Sequence, residues 1–178
     1  MKALKYIFGV VIGIIVLVLV IAALSPKDYA VEREITINKP LPEVFNYIKY
    51  LKNQDNYSVW AGMDPDMKKT FRGTDGEVGF VSAWESDKED VGKGEQEIMS
   101  IDEGNKINFE LRFMEPFEAT DNAYMITEAV APTITKVKWG FYGSMDYPMN
   151  LMLLFMDMEG ILGADLKEGL ENLKKELE

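Results

Sequence analysis

The spacing of apolar positions changes character along the chain. From Tyr6 to Leu24 there are 19 residues without a charge, mostly Val, Ile and Leu, and apolar in every direction around a helix. Such a helix spans roughly 28 Å, close to the roughly 30 Å hydrocarbon core of a bilayer. From Asp28 to Asn38 apolar Val31, Ile35 and Ile37 fall among Glu32, Arg33, Glu34 and Thr36, which predicts a strand. Pro40 and Pro42 then open a helix with Val44, Phe45, Ile48 and Leu51 at helical spacing. Asn53 to Pro65 is polar and turn-rich apart from Val59, Trp60 and Met63. Short strands follow at 67–73, 77–86, 90–101, 105–114, 117–129 and 133–144, broken by turn residues. A helical tail over 148–178 closes the chain. Its stripe of Leu162, Leu166, Leu170, Leu173 and Leu177 is amphipathic, with Lys167, Glu168, Glu171, Lys174 and Lys175 facing water. Gly169 interrupts that helix at a cost of about 1 kcal/mol against alanine, which calls for close backbone packing there.

Register arithmetic extends the strand reading. A turn near Lys88 places Phe80, Ser82 and Trp84 opposite Gln96, Gly94 and Gly92, so that Trp84 lies over glycine. A two-residue turn at Glu103-Gly104 pairs Ile98 with Phe109, Gln96 with Leu111 and Gly94 with Phe113. A turn at Ala131-Pro132 pairs Tyr124 with Trp139, Ile126 with Val137 and Asn122 with Phe141. One face of the antiparallel meander is then apolar and aromatic, while Glu95, Glu97, Asn108, Glu110 and Arg112 point to water.

Charge divides the chain in the same place as the pattern. Residues 1–27 carry three lysines and no acid, so all 30 acidic residues lie beyond them against 16 basic ones. A surface so acidic repels phosphate, which argues against nucleic acid as a partner. Lys2, Lys5 and the terminal amine before the apolar run favour a cytoplasmic N-terminus with the rest of the chain across the membrane. Residues 1–27 are therefore read as a single-pass anchor and linker, with the membrane reached through residues 6–24, and 28–178 as one extracytoplasmic domain. A cleaved signal peptide is the rival reading, with Val20-Ile21-Ala22 as its processing site, although the apolar run is long for one and Pro26 disfavours cleavage before it. Gly9 and Gly13 form a GxxxG pair that would let two anchors approach closely in a dimer; glycine is common in membrane helices, so an unpaired anchor is the preferred reading.

Cysteine and histidine are both absent, which excludes disulfides, thiolate and imidazole catalysis and His-ligated metals. Asp64-Pro65-Asp66 lacks the further oxygen ligands of a calcium loop and reads as a solvated turn. Gly73, Gly76 and Gly79 have no helix after them to cradle a phosphate, and read as turns and bulges. No metal and no cofactor is expected.

The order strand, helix, six-stranded meander, long C-terminal helix resembles the SRPBCC superfamily (START-like, helix-grip fold), specifically its polyketide cyclase/dehydrase-like branch. The likeness rests on AVEREITINKPLPEVFNYI, NKINFELRF, TKVKWGFYG and GADLKEGLENLKK, which sample most of residues 29–178. It implies an α+β fold: a curved antiparallel sheet of about seven strands wrapped around the last helix, here preceded by one transmembrane helix. It also implies an apolar cavity between sheet and helix for a lipid, a polyketide or a similar molecule. It carries no catalytic residue over.

The candidate lining follows from register and resemblance together. Phe80, Trp84, Phe109, Trp139 and Phe141 are aromatic residues that either form an ordinary core or wall a cavity. Ser82, Gln96, Asn122 and Tyr124 are inward polar groups that either orient a ligand or make structural hydrogen bonds. Met152 and Met156 belong to a cluster holding five of the eleven methionines (Met145, Met149, Met152, Met156, Met158), suited to gap filling or to an adaptable lid. Three function classes stay open: a tethered binder or carrier of an apolar small molecule, a cyclase/dehydrase-like enzyme, and an interaction module with an acidic surface. The absence of a catalytic motif, of His and of Cys weighs against the enzyme.

Overall fold

The computed structural model describes residues 2–178, with side chains from Lys5 onward; the Met1 amine and the Lys2 side chain of the basic flank lie outside the described residues. The chain forms two compact units, one built from the N-terminal residues through Tyr29 with Ser144–Met158, the other from Ala30–Gly143 with Glu159–Glu178.

In the first unit, helix α1 (Lys2–Leu24) is long and apolar enough over Lys5–Leu24 to cross a membrane, and almost all of that span is exposed. Length and composition fit a membrane span and a signal sequence equally. A helix leaves its last carbonyls without intrahelical partners. Here the fully buried Asn150 donates through Nδ2 to the carbonyls of Ala22 at 2.7 Å and Ser25 at 3.2 Å. Asn150 belongs to a 3₁₀ turn, Met149–Leu154, in the methionine-rich stretch. The tail is thus not one helix over 148–178. Helix α4 begins only at Met158, because the segment after Pro148 closes a tight turn against the end of α1.

The second unit is a seven-stranded antiparallel sheet and its cover. Its strands are β1 (Asp28–Ile37), β2 (Lys68–Arg72), β3 (Val81–Glu85), β4 (Lys93–Asp102), β5 (Lys106–Glu115), β6 (Ala119–Ala131) and β7 (Ile134–Ser144), in the order β1-β7-β6-β5-β4-β3-β2. Sequential hairpins generate β2 to β7. The first strand sits beside the last, so β1 and β2 occupy opposite edges. The chain between them must therefore cross the sheet, and it does so as α2 (Leu41–Ile48), a 3₁₀ turn (Leu51–Asn56) and the short α3 (Val59–Gly62). Helix α4 (Met158–Leu177) covers the sheet with Leu166, Leu170 and Leu173, all buried. Asn172 Nδ2 meets the Tyr57 carbonyl at 3.5 Å and Lys174 Nζ meets the Thr36 carbonyl at 2.8 Å, tying α4 to the crossing segment and to β1.

The hairpin registers separate what alternation alone can settle from what it cannot. In β4–β5 the pairs Ile98–Phe109, Gln96–Leu111 and Gly94–Phe113 are as expected. The loop is one residue longer than expected, with Gly104 at φ 76°, and a bulge between Ile98 and Ser100 takes up the difference. In β3–β4, Ser82 pairs with Gln96 and Trp84 with Gly94, two residues from the expected register. An even slip keeps every side chain on its face. Trp84 therefore still lies over glycine: a Cβ on Gly94 would come within 2.5 Å of its ring.

The β6–β7 hairpin corrects the sequence reading. It turns at Pro132-Thr133 and carries a bulge between Ala129 and Ala131, so that Met125 pairs with Trp139, Tyr124 with Gly140 and Asn122 with Tyr142. The net slip is one residue, and it moves Asn122 and Tyr124 to the outer face. Ala123, Met125 and Thr127 are buried in their place. Tyr124 packs its ring over Gly140 and donates its hydroxyl to Glu32; burial first, and then that carboxylate, push its pKa up to about 12.

The outer face also carries a charge cluster. Arg112 meets Glu95 at 2.8 Å, Glu97 at 2.6 Å and also Glu110, while Arg72 meets Glu95 at 2.7 Å. The Arg72 hydrogen bond, followed by those of Arg112, holds the Glu95 carboxyl below its ordinary value. A carboxylate with a depressed folded pKa stabilises above its unfolded value, about 4.3, and that contribution is lost as pH falls through the folded pKa. Arg112→Met should cost on the order of 1 kcal/mol at pH 7, where solvent screens the cluster, and less as pH drops below about 4. Urea midpoints of parent and variant at pH 7 and pH 3 check this; equal differences at both would show that ionisation of the carboxylates contributes nothing.

Candidate functional site

Between the inner face of the sheet and its cover lies a cavity of about 420 Å³. The sheet supplies Ser82 and Trp84 from β3, Gln96 from β4, Leu111 and Phe113 from β5, Ala123 from β6, and Trp139 and Phe141 from β7. These residues share a face because each recurs at a spacing of two and the registers above align them. The crossing segment contributes Leu51, Gln54, Trp60 and Met63, and α4 contributes Leu162. All three tryptophans of the chain, Trp60, Trp84 and Trp139, therefore stand on one lining.

Trp139 joins the three layers. Its ring meets Tyr57 edge-on at 5.6 Å between centroids and Trp60 at 5.8 Å. On α4, a Cβ on Gly169 would lie 2.8 Å from Cζ3 of the same indole, which is the close packing that the mid-helix glycine calls for. Tyr57 is fully buried, with its hydroxyl 3.6 Å from the Met125 sulfur; burial raises its phenol pKa far above the ordinary value and keeps it neutral.

The polar groups on the lining are few. Gln54 is only 8% exposed, and its amide nitrogen is buried without a hydrogen-bond partner. Ser82 and Gln96 sit opposite one another on β3 and β4. The lining carboxylates Asp55, Asp90 and Glu115 are all exposed, and Asp55 pairs with Lys69 at 2.6 Å. Asp64 is not the solvated turn residue expected from its sequence. It is 8% exposed and accepts from the Ser86 hydroxyl and from the Asp66 amide at 3.2 Å, with Lys88 at 3.5 Å. Those partners, Ser86 foremost, hold its carboxyl below the ordinary range and pin the end of the crossing segment to the β3–β4 connection.

The sequence-derived candidates thus separate into groups. Ser82, Trp84, Gln96, Trp139 and Phe141 meet on the lining. Phe80 and Phe109 are fully buried in the packed core, Phe80 stacked on Phe71 at 6.0 Å and Phe109 opposite Ile98. Asn122 and Tyr124 are on the outer face. Met152 and Met156 belong to the first unit, on and just after the 3₁₀ turn. Gln54 escaped the sequence reading, since a lone glutamine in a polar stretch has no periodic signal; Trp60 stood out there only as an apolar residue.

The chain matches no protein-family model and no curated protein. Solved structures do match. Norcoclaurine synthase from Thalictrum flavum, in complex with dopamine and hydroxybenzaldehyde, is 10% identical with a TM-score of 0.62, covering 89% of this chain and 92% of that one. A protein of Nitrosospira multiformis is 16% identical with a TM-score of 0.59, covering 84% and 97%. Ara h 8.0201 is 17% identical with a TM-score of 0.56, covering 84% and 97%. The fold is the Bet v1/START-like helix-grip fold. At these identities the likeness is one of architecture: a seven-stranded antiparallel sheet with a C-terminal helix, to which this chain adds an N-terminal apolar helix.

The Trp139–Gly169 contact yields a test of how helix and sheet are spaced in this helix-grip domain. Alanine at a mid-helix glycine ordinarily stabilises by about 1 kcal/mol. In Gly169→Ala the methyl would drive against the indole, and overpacking costs about 1–3 kcal/mol. The variant should melt below the parent by calorimetry. A higher melting temperature would show that the helix does not approach Trp139 so closely.

Proposed function

We propose that this chain is a membrane-tethered member of the SRPBCC superfamily, near its polyketide cyclase/dehydrase-like branch, whose helix-grip domain binds an apolar small molecule bearing a hydrogen-bond acceptor. The observation that carries the reading is the Gln54 amide nitrogen, buried without a partner in a residue of a mainly apolar lining that includes three tryptophans, three phenylalanines and three leucines. A buried donor left unpaired costs about 1–3 kcal/mol, which an acceptor on a bound molecule would recover once the side chain turns that nitrogen toward it. A volume of about 420 Å³ lies within the usual range for small-molecule sites. A mainly apolar lining, with its carboxylates exposed, favours binding over general acid–base chemistry.

The tether is supported by α1 and its cap. The buried Asn150 amide is committed to the carbonyls of Ala22 and Ser25. Cleavage after Ala22 would break up that cap and strand the amide, which favours a retained anchor over a signal peptide. The basic flank, with Lys5 in it, supports a cytoplasmic N-terminus with the domain outside.

Because all three tryptophans stand on the lining, indole fluorescence of the intact chain reports occupancy directly. Titration with fatty acids, isoprenoid ketones and aromatic polyketides should give a saturable change for at least one. Gln54→Leu should weaken a carbonyl-bearing ligand by about 0.5–1.5 kcal/mol, or two- to ten-fold in Kd, and spare its hydrocarbon counterpart. No saturable change with any of these probes would retire the binding reading. For topology, protease added to intact expressing cells should digest the domain while the chain keeps its first residues; full protection, or a mature N-terminus near residue 23, would overturn the tether.

A further inference from the structure

The methionine-rich stretch carries an unusual surface. Between Asp146 and Asp157 the chain has no charge, yet Phe155 is 86% exposed, Met149 57% and Leu154 50%, with Tyr147 and Met152 also exposed. Large apolar side chains clustered in water over so short a segment mark a contact surface. Their position in the first unit says what they contact. Asn150, in the middle of the stretch, is hydrogen-bonded to the carbonyl of Ala22, in the last turn of α1. Met145 N–H is bonded to the Lys27 carbonyl at 2.9 Å, so the chain entering the stretch is also held to the linker just beyond α1. A helix of 23 residues is about 34 Å long. If its exposed apolar length fills a bilayer core of about 30 Å, its last turn emerges at the boundary between hydrocarbon and headgroups.

We propose that Tyr147–Phe155 is an interfacial foot, which beds Met149, Met152, Leu154 and Phe155 in the lipid surface where α1 emerges. The inference rests on the tether reading above. The uncharged stretch is too short to span a bilayer, which takes about 20 residues, so it lies along the surface. Unbranched methionine thioethers adapt to a fluid neighbour, and Tyr147 presents a ring of the kind found at the membrane boundary. Clamped to α1 by Asn150, the foot gives the anchor a second point of attachment, restricting how the first unit tilts and turns on the membrane.

The chain has no cysteine, so single cysteines can be labelled cleanly. Full-length Phe155→Cys, Ile15→Cys and Lys68→Cys, each carrying an environment-sensitive NBD probe, are reconstituted in phosphatidylcholine vesicles containing lipids spin-labelled near the headgroup or deep in the acyl chain. The Phe155 probe should emit to the blue of the Lys68 probe and be quenched more by the shallow label than by the deep one. The Ile15 probe should be quenched by the deep label and the Lys68 probe by neither. A Phe155 probe that behaves like the one at Lys68, while Ile15 is quenched, overturns the foot and leaves the tether standing. Blue-shifted emission at Phe155 without lipid quenching means that protein covers it, and also overturns the foot. Absence of quenching at Ile15 as well removes the tether and the foot together.

Discussion

The indole of Trp139 sets the spacing of the folded domain. It rises from β7, seats against the backbone of α4 at Gly169 and meets Tyr57 and Trp60 edge-on from the crossing segment. A rigid ring wedged among three layers holds sheet, helix and cover at fixed distances, since close-packed interiors transmit such constraints. The cavity is the space left beside that wedge. Its wall is therefore also a main support of the fold, and a change at Trp139 acts on stability and on the site together.

Around this wedge the polar groups are distributed by parity. Three hairpins depart from their simplest geometry, and the effect depends on whether the net slip is even or odd. In β4–β5 a longer loop and a bulge cancel, and in β3–β4 the slip is two residues, so Ser82, Trp84 and Gln96 keep the inner face. In β6–β7 the net slip is one, and Asn122 and Tyr124 go outside while Ala123 and Met125 come in. Exchanging two polar side chains for alanine and methionine makes that part of the inner face more apolar and leaves Gln54, from the crossing segment, as the isolated buried donor.

The two units present apolar residues in different ways. In the second, Phe80, Phe109, Trp139, Leu166, Leu170 and Leu173 are buried. In the first, α1 and the stretch after Pro148 leave theirs uncovered, and the shared feature is an asparagine buried at the point where they meet. The last carbonyls of a helix have no partners within it and need donors from elsewhere. Asn150 meets that requirement from within the chain.

The linear order of residues determined the strands and their meander, the apolar N-terminal helix, the helix after Pro40, the leucine face of α4 and the need for tight packing at Gly169. Each of these depends on local periodicity or on the conformational cost of one residue, which neighbours in sequence report directly. The β4–β5 pairing was equally legible, because alternation with a short loop leaves few registers. Tertiary structure alone decided the rest. Bulges are single-residue events with no periodic signature, so the face of Tyr124 was beyond alternation. The breaks at Pro148–Asp157 and the capping of Ala22 by Asn150 join residues more than a hundred positions apart. The place of Gln54 on the cavity lining exists only because β1 and β2 lie at opposite edges, which forces the chain between them across the sheet.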